Sequence, residues 1–278
     1  RRVLFRSIIR QFRPHVVVGA GGYVSGPVLM MAAIMGVPTL VMDSNAMPGF
    51  TNRRLARFVD RAALTFEAAM PFFGKKGVVA GNPVRPEFFD IEPREPGHKV
   101  QLLIFGGSQG ARAINQAVVS ALPLMNDVKE WLFVTHQTGE VMFDEVRLEY
   151  ENAGWEADVR PYISNMVEAF DKADLIMSRA GATTCAEVAA AGKPAVLIPL
   201  PTAADDHQRK NAEALLAAGA ARMILQNELS PERVASELES LISDRDALSV
   251  MASNAKKLGR RDAAEAVYEL IDELRRTA

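Results

Sequence analysis

Cysteine is nearly absent: Cys185 is the single one in 278 residues. One thiol excludes a disulfide framework and a cysteine-built metal centre, and it suits a reducing compartment. The four histidines, His15, His98, His136 and His207, share no spacing that would hold a metal, so no metal site is expected. Neither sign of charge dominates. The formal net charge is −2, so no global field recruits nucleic acid, and no nucleic-acid partner is expected. Long apolar runs are missing as well. Residues 16–42 carry no charge, yet Gly19, Gly21, Gly22, Gly26, Pro27, Gly36 and Pro38 interrupt them well short of the ~20 residues of a spanning helix. The chain opens on Arg1 rather than Met, inside what reads as a helix, with no visible signal peptide. A fragment or processed form is the expectation.

Common catalytic and phosphate-binding signatures are also missing. No Gly-Lys-Ser/Thr makes a P-loop, no Gly-x-Gly-x-x-Gly marks a dinucleotide site, and Ser25 sits in no Gly-x-Ser-x-Gly elbow; Ser108 has that spacing in Gly106-Gly107-Ser108-Gln109-Gly110 but reads as part of a phosphate-type turn rather than as a nucleophile elbow.

What is present is an alternation of short apolar strands, glycine turns and helices. The composition, 49% hydrophobic and 24% charged, is that of a soluble chain long enough for two domains. Residues 16–18 read as a strand, followed by a glycine turn at 19–23. A helix opens near Pro27, a residue suited to a first turn, and stops at Gly36 and Pro38 before a strand at 39–42. Residues 175–200 repeat the plan: a strand, the turn Ala180-Gly181-Ala182, a helix with Thr183 and Thr184 as cap candidates, a stop at Gly192 and Pro194, and the strand AVLIPL. A third strand and glycine turn, VQLLIF then GGSQG, begin at Val100. Residues 91–99, polar and containing two prolines and a glycine, form the clearest linker. The fold expected is α/β with two doubly wound domains. Residues 1–90 form the first, 91–99 the linker and 100–258 the second, with a closing helix at 259–278 that packs back on the first.

The opening helix carries Leu4, Phe5, Ile8, Ile9 and Phe12 as one apolar stripe, flanked by Arg1, Arg2, Arg6, Arg10 and Arg13. The pattern reads as a crossover helix on a sheet, and it is compatible with arginines beside anionic lipid.

Several residues are candidates for chemistry. Gly106, Gly107 and Gly110 follow a strand and open a helix, where backbone N–H groups and the helix dipole accept an anion such as a diphosphate; Ser108 adds a hydroxyl. Thr184 and Glu187 fit a capping box, but a carboxylate beside a glycine turn also suits two vicinal ribose hydroxyls. Arg85 reads equally as a solvated arginine or as a partner for diphosphate charge. Asp205-Asp206-His207-Gln208 reads as a helix start or as a site that binds sugar hydroxyls through His207 and Gln208. Asp244-Arg245-Asp246 is expected to be a helix cap rather than a metal-binding Asp-x-Asp. Cys185 reads as a packed small side chain rather than a nucleophile.

Taken in order, Gly21-Gly22-Tyr23-Val24-Ser25-Gly26-Pro27, Asn45-Ala46-Met47-Pro48-Gly49, Gly81-Asn82-Pro83-Val84-Arg85, Gly106-Gly107-Ser108-Gln109-Gly110-Ala111 and residues 178–208 resemble the MurG family of peptidoglycan glycosyltransferases. The resemblance runs through essentially the whole chain. It implies a GT-B fold of two Rossmann-like domains, the first incomplete. It implies inverting transfer of N-acetylglucosamine from UDP-N-acetylglucosamine to lipid I, giving lipid II, without a cofactor or catalytic metal. It also implies a peripheral location on the cytoplasmic face of the bacterial plasma membrane, with contacts to other cell-wall synthesis proteins.

By the same resemblance, donor contacts fall on Asn45, Arg85, Ser108, Ile163 (uracil edge, through its backbone), Ala182, Thr183, Thr184, Cys185, Ala186, Glu187, Gln208 and its neighbour His207. The lipid-diphosphate loop corresponds to Gly19, Gly21, Gly22 and Tyr23. The family's first strand and its Gly-Gly-Thr-Gly-Gly-His loop, with the candidate base, have no counterpart here. Of the family's His-Glu-Gln-Asn only Asn45 carries over, against Met42-Asp43-Ser44. The expectation is an enzyme whose base lies outside this sequence, so that this chain binds UDP weakly or transfers poorly. Two other readings are a UDP-N-acetylglucosamine 2-epimerase and, for the fragment, a UDP-sugar binding module without turnover.

Overall fold

The computed structural model describes residues 2–93 and 97–277. These fall into two compact units. The first comprises residues 2–84, Ala203–Asn211 and residues 260–277; the second holds the rest, up to Gly259.

The first unit opens with α1 (Arg2–Phe12), β1 (Val17–Gly19), α2 (Gly22–Ile34), β2 (Thr39–Asp43), α3 (Phe50–Leu55), β3 (Arg61–Leu64), α4 (Met70–Phe73) and β4 (Gly77–Val79). The four strands form a parallel sheet in the order β1-β2-β3-β4. Both faces are covered, as parallel strands require. Val41, Ala62 and Leu64 pack with Leu29 of α2 and with Leu55, Val59 and Phe73. Leu40, Ala63 and Ala80 are buried elsewhere, against a helix from the end of the chain. Alternation along β2 thus divides Leu40 from Val41 between two cores.

The second unit contributes β5 (Val100–Phe105), α5 (Arg112–Ala121), β6 (Leu132–Gln137), α6 (Phe143–Asn152), β7 (Ala157–Arg160), α7 (Met166–Lys172), β8 (Leu175–Ser178), α8 (Ala182–Ala191) and β9 (Ala195–Leu197). It continues with α9 (His207–Ala217), whose first turn belongs to the first unit, then β10 (Ala221–Met223), α10 (Pro231–Ile242) and α11 (Arg245–Leu258). The last helix, α12 (Ala263–Arg276), returns to the first unit, where Val267, Leu270 and Leu274 form its buried stripe at helical spacing. The second sheet is parallel throughout, in the order β10-β9-β8-β5-β6-β7. The chain starts in the middle at β5, winds outward to β7, then restarts beside β5 at β8 and winds the other way. The α/β expectation therefore holds, with two parallel sheets. The two repeated stretches of sequence are the units β1-α2-β2 and β8-α8-β9, each a pair of adjacent parallel strands joined by one helix.

Local differences from the sequence reading have simple causes. α2 begins at Gly22, so Pro27 lies inside the helix rather than in its first turn. Its missing N–H leaves the Tyr23 carbonyl without the helical bond. α9 begins at His207, so His207 and Gln208 open its first turn while Asp205 and Asp206 precede it. Asp244 caps α11, its carboxylate accepting from Ala247 N at 2.9 Å, as the Asp-Arg-Asp reading expected. The α1 stripe is only partly covered. Ile9 is buried, but Leu4, Ile8 and Phe12 are exposed, Phe12 by 80%, because the helix packs on α2 rather than flat on a sheet.

One polar cluster is sealed inside the second unit. His136 on β6 lies between Tyr150 of α6, at 3.1 Å from Nδ1, and Asn115 of α5, at 3.1 Å from Nε2. Burial pushes the His136 pKa from 6.5 down to about 3. A folded-state value below the unfolded one means the unfolded chain takes up the proton first. This contribution is therefore fully present above pH 6.5 and is lost as pH falls toward 3. At pH 5 the loss is about 2 kcal/mol relative to pH 7.5. Urea denaturation at the two pH values is expected to show it, and His136→Gln to flatten it; an equal slope in that variant would remove His136 as the cause.

Candidate functional site

In a doubly wound sheet the crevice lies at the carboxyl ends of the strands where the winding reverses. Here the reversal falls between β5 and β8, paired from Leu102↔Leu175 to Phe105↔Ser178. The loops leaving these two strands carry the glycine turns read from the sequence.

After β5, Gly107 has φ +94° and Gly110 φ +71°, and Gly110 N donates to Gly107 O at 2.9 Å. The turn meets the next loop backbone to backbone. A methyl on Gly110 would come within 1.9 Å of the Thr138 carbonyl oxygen, and one on Gly139 within 2.2 Å of that of Gln109. Asn115 Nδ2 holds the same Thr138 carbonyl at 2.8 Å and so links the turn to the His136 cluster. Ser108 is exposed on the turn, and α5 starts behind it with Ala111 at the cap and no side-chain cap bond.

After β8, Gly181 caps α8 in extended geometry, again with no side-chain bond. Thr183 and Thr184 are therefore the second and third helical residues, not caps, because the glycine rather than a threonine takes the extended position. The capping box with Glu187 does not form. Glu187 is the sixth residue of the helix rather than in its first turn, half-buried, and free of that structural duty. Burial raises its pKa above the usual carboxylate value, and the nearby Arg85 guanidinium pulls it back down. Arg85 is exposed and lies 5.1 Å over the Phe88 ring. Two helix N-termini without side-chain caps and one carboxylate can hold a diphosphate and a vicinal diol.

Within the second unit, then, the fold gathers Arg85, Ser108, Ile163, Ala182, Thr183, Thr184, Ala186 and Glu187 around the carboxyl edge of the second sheet. Ile163 is buried after β7, and its N–H donates to Gln137 Oε1 at 3.2 Å. Cys185 offers the edge nothing. It is buried, its thiol is pushed up to about 12 by burial, and its N–H bonds Gly181 O at 2.9 Å.

The other candidates lie in the first unit. Buried Asp43 organises the loop after β2, accepting from Asn45 N at 3.0 Å, Gly49 N at 3.2 Å and Asn52 Nδ2 at 2.8 Å. Asn211 on α9 donates to Asn45 Oδ1 at 3.1 Å and accepts from Ala46 N at 2.9 Å. Asn45 is thereby held one helical turn from Gln208. His207 Nδ1 donates to Ala204 O at 2.7 Å. Asp205 and Asp206, just before it, have φ of 53° and 54°, a left-handed geometry unusual outside glycine. At the turn after β1, Gly21 (φ +97°) and Gly22 (φ +77°) precede Tyr23 in the first turn of α2. Gly19 is a packing glycine, since a methyl there would strike Leu29 at 2.3 Å.

Sequence reading missed Gln137, Asn115 and Arg179. Arg179 ties the loop after β8 to the carbonyls of Ile198 and Pro199, at 3.1 and 3.3 Å, and to Gln226 Oε1 at 2.7 Å.

Comparison with known proteins identifies the family. The glycosyltransferase family 28 C-terminal domain matches residues 101–267, and the N-terminal domain of the same family matches residues 1–64. The chain belongs to glycosyltransferase family 28. Among family relatives, the UDP-N-acetylglucosamine--N-acetylmuramyl-(pentapeptide) pyrophosphoryl-undecaprenol N-acetylglucosamine transferase of Syntrophus aciditrophicus is 45% identical over 266 residues, 95% of this chain and 74% of that protein. The crystal structure of Acinetobacter baumannii MurG superposes with a TM-score of 0.85 at 34% identity, covering 98% of this chain and 78% of that one. A putative UDP-N-acetylglucosamine 2-epimerase from Listeria monocytogenes superposes with a TM-score of 0.72, covering 98% of this chain and 78% of that one; at 14% identity it shares the fold alone.

The interlock of the two loops yields a measurable contrast. Gly110→Ala combines strain with a backbone clash and is expected to cost at least about 2 kcal/mol, whereas Gly107→Ala, with open space around it, costs about 1 kcal/mol. Equal losses in urea denaturation would show that the loops do not interlock.

Proposed function

We infer that this chain transfers N-acetylglucosamine from UDP-N-acetylglucosamine to undecaprenyl-pyrophosphoryl-N-acetylmuramyl-pentapeptide, lipid I, to form lipid II in peptidoglycan synthesis. The observation that carries the reading is the 45% identity over 95% of the chain with a relative named for that reaction. The epimerase reading rests on fold alone and is the weaker one. In the inverting transfer, the acceptor 4-hydroxyl attacks the anomeric carbon as the bond to UDP breaks, its proton passes to a general base that none of the residues assigned below supplies, and negative charge grows on the departing diphosphate.

The residues of the second sheet's edge suit the donor. The turn at Gly107 to Gly110, with Ser108 and the start of α5, would receive the diphosphate, where helix dipole and backbone N–H groups favour growing negative charge. Arg85 would add a cation. Glu187 would accept two ribose hydroxyls, a role supported by its freedom from any cap and its partial burial. Ile163 would meet the uracil edge. In the first unit, Asn45, His207 and Gln208 would orient the sugar, and the turn of Gly19, Gly21, Gly22 and Tyr23 would take the lipid diphosphate.

A bilayer surface is the further partner proposed, at the cytoplasmic face of the plasma membrane. Supporting it are exposed Phe12 on α1 and a groove of about 590 Å³ lined by Met30, Phe50, Arg53, Arg54, Arg57 and Phe58. Apolar side chains among arginines match an anionic lipid interface. No helix among the described residues is long and apolar enough to cross a membrane.

Calorimetry and product analysis test the reading. UDP and UDP-N-acetylglucosamine are expected to bind, and Glu187→Gln to weaken both roughly tenfold without changing the melting temperature. Wild-type affinity should also fall on acidification from a pH above the ordinary glutamate range, because the raised pKa makes Glu187 lose its charge early. Formation of UDP-N-acetylmannosamine without any acceptor would overturn the transferase reading in favour of the isomerase. Unchanged affinity in Glu187→Gln would remove the ribose role. For the lipid surface, Arg54→Glu with Arg57→Glu is expected to reduce co-sedimentation with anionic vesicles severalfold; equal binding would exclude this face.

A further inference from the structure

Gln137 ends β6, buried between Phe105 of β5 and Arg160 of β7 in the strand register. Its side-chain amide works in two directions. Nε2 donates to Gly107 O at 2.8 Å, and Oε1 accepts from Ile163 N at 3.2 Å. A carbonyl only accepts and a backbone amide only donates, so the partners themselves fix which end is which. They lie on different loops, one after β5 and one after β7. Gly107 O also accepts from Gly110 N, so both of its lone pairs are occupied.

We propose that Gln137 is a positioning residue for the nucleotide, one side chain that sets both the turn meeting the diphosphate and the strand end meeting the nucleobase. The proposal rests on the donor reading above. Volume alone does not call for glutamine here: methionine would fill the same space without a buried amide to satisfy. What only an amide supplies is a donor at one end and an acceptor at the other. Locking both loops before the ligand arrives spares the nucleotide the ordering of either, which is how a group that touches no substrate can raise affinity. Asn115, holding Thr138 O beneath the same turn, supports it from the other side.

The two arms can be separated. Gln137→Glu keeps an acceptor for Ile163 but loses the donor to Gly107; Gln137→Met keeps the volume and loses both. Affinities for uridine and for UDP are measured by NMR titration and calorimetry, with amide exchange at Gly110 and thermal unfolding on the free proteins. Gln137→Glu is expected to weaken UDP about tenfold, change uridine less than threefold and speed exchange at Gly110. Gln137→Met is expected to weaken both ligands about tenfold. The proposal is overturned if Gln137→Glu lowers uridine and UDP by the same factor, the mark of general loosening, or if unfolding shifts while neither affinity moves. Failure of the wild-type chain to bind UDP overturns the donor reading and this inference together. Binding that is indifferent to both substitutions overturns the inference alone.

Discussion

The reversal of winding between β5 and β8 is the constraint on which the rest of the second unit depends. Adjacent parallel strands send their helices to opposite faces, so the loops that leave them diverge, and in open α/β sheets that point is where ligands bind. Everything assembled there answers that geometry. Two helices begin at the edge without side-chain caps, so no side chain of the cap residue occupies the anion-accepting N-terminus of either. An anion supplied from outside is the natural complement. The glycines follow from the same constraint, because a backbone that meets another backbone, as at Gly110 and Thr138, has no room for a Cβ.

Around this crevice the protein uses uncharged hydrogen bonds as fasteners. Gln137, Asn115 and His136 are all buried, and each holds partners on at least two elements. Neutral groups suit the task, since a buried ion would demand a counter-charge and would distort the potential felt by an anionic ligand. Charge is kept where it can act: Arg85 remains exposed, and Glu187 is half-buried, its pKa raised by burial and lowered by Arg85. In the first unit Asp43 does comparable work with a carboxylate, holding the loop that carries Asn45 through three donors.

Much of this was legible in the sequence, and the limits follow from range. VQLLIF could be recognised as a strand because a parallel strand covered on both faces is apolar nearly throughout. Asp244 could be recognised as a cap because its partner is only three residues away. The neighbourhood of Glu187 was found, but its helical position was misjudged, since Gly181 and not a threonine adopts the extended cap conformation. Gln137 and Arg179 left no local signal. Each is one polar residue at a strand end, and their partners lie up to 47 residues away in the chain. Periodicity detects faces of helices and strands; it does not detect a fastener between loops.

The division of the chain bears on how the molecule is made. The first unit draws on three separate segments, and the last of them supplies Val267, Leu270 and Leu274 to the core around Leu40 and Ala63. Synthesis from the N-terminus therefore leaves that core open until the final helix leaves the ribosome. The second unit has all of its residues by Gly259 and can close earlier, although it begins later. The order of translation and the order of completion are reversed. During that interval the half of the chain that emerges first carries an uncovered apolar face, a period in which a chaperone has something to hold.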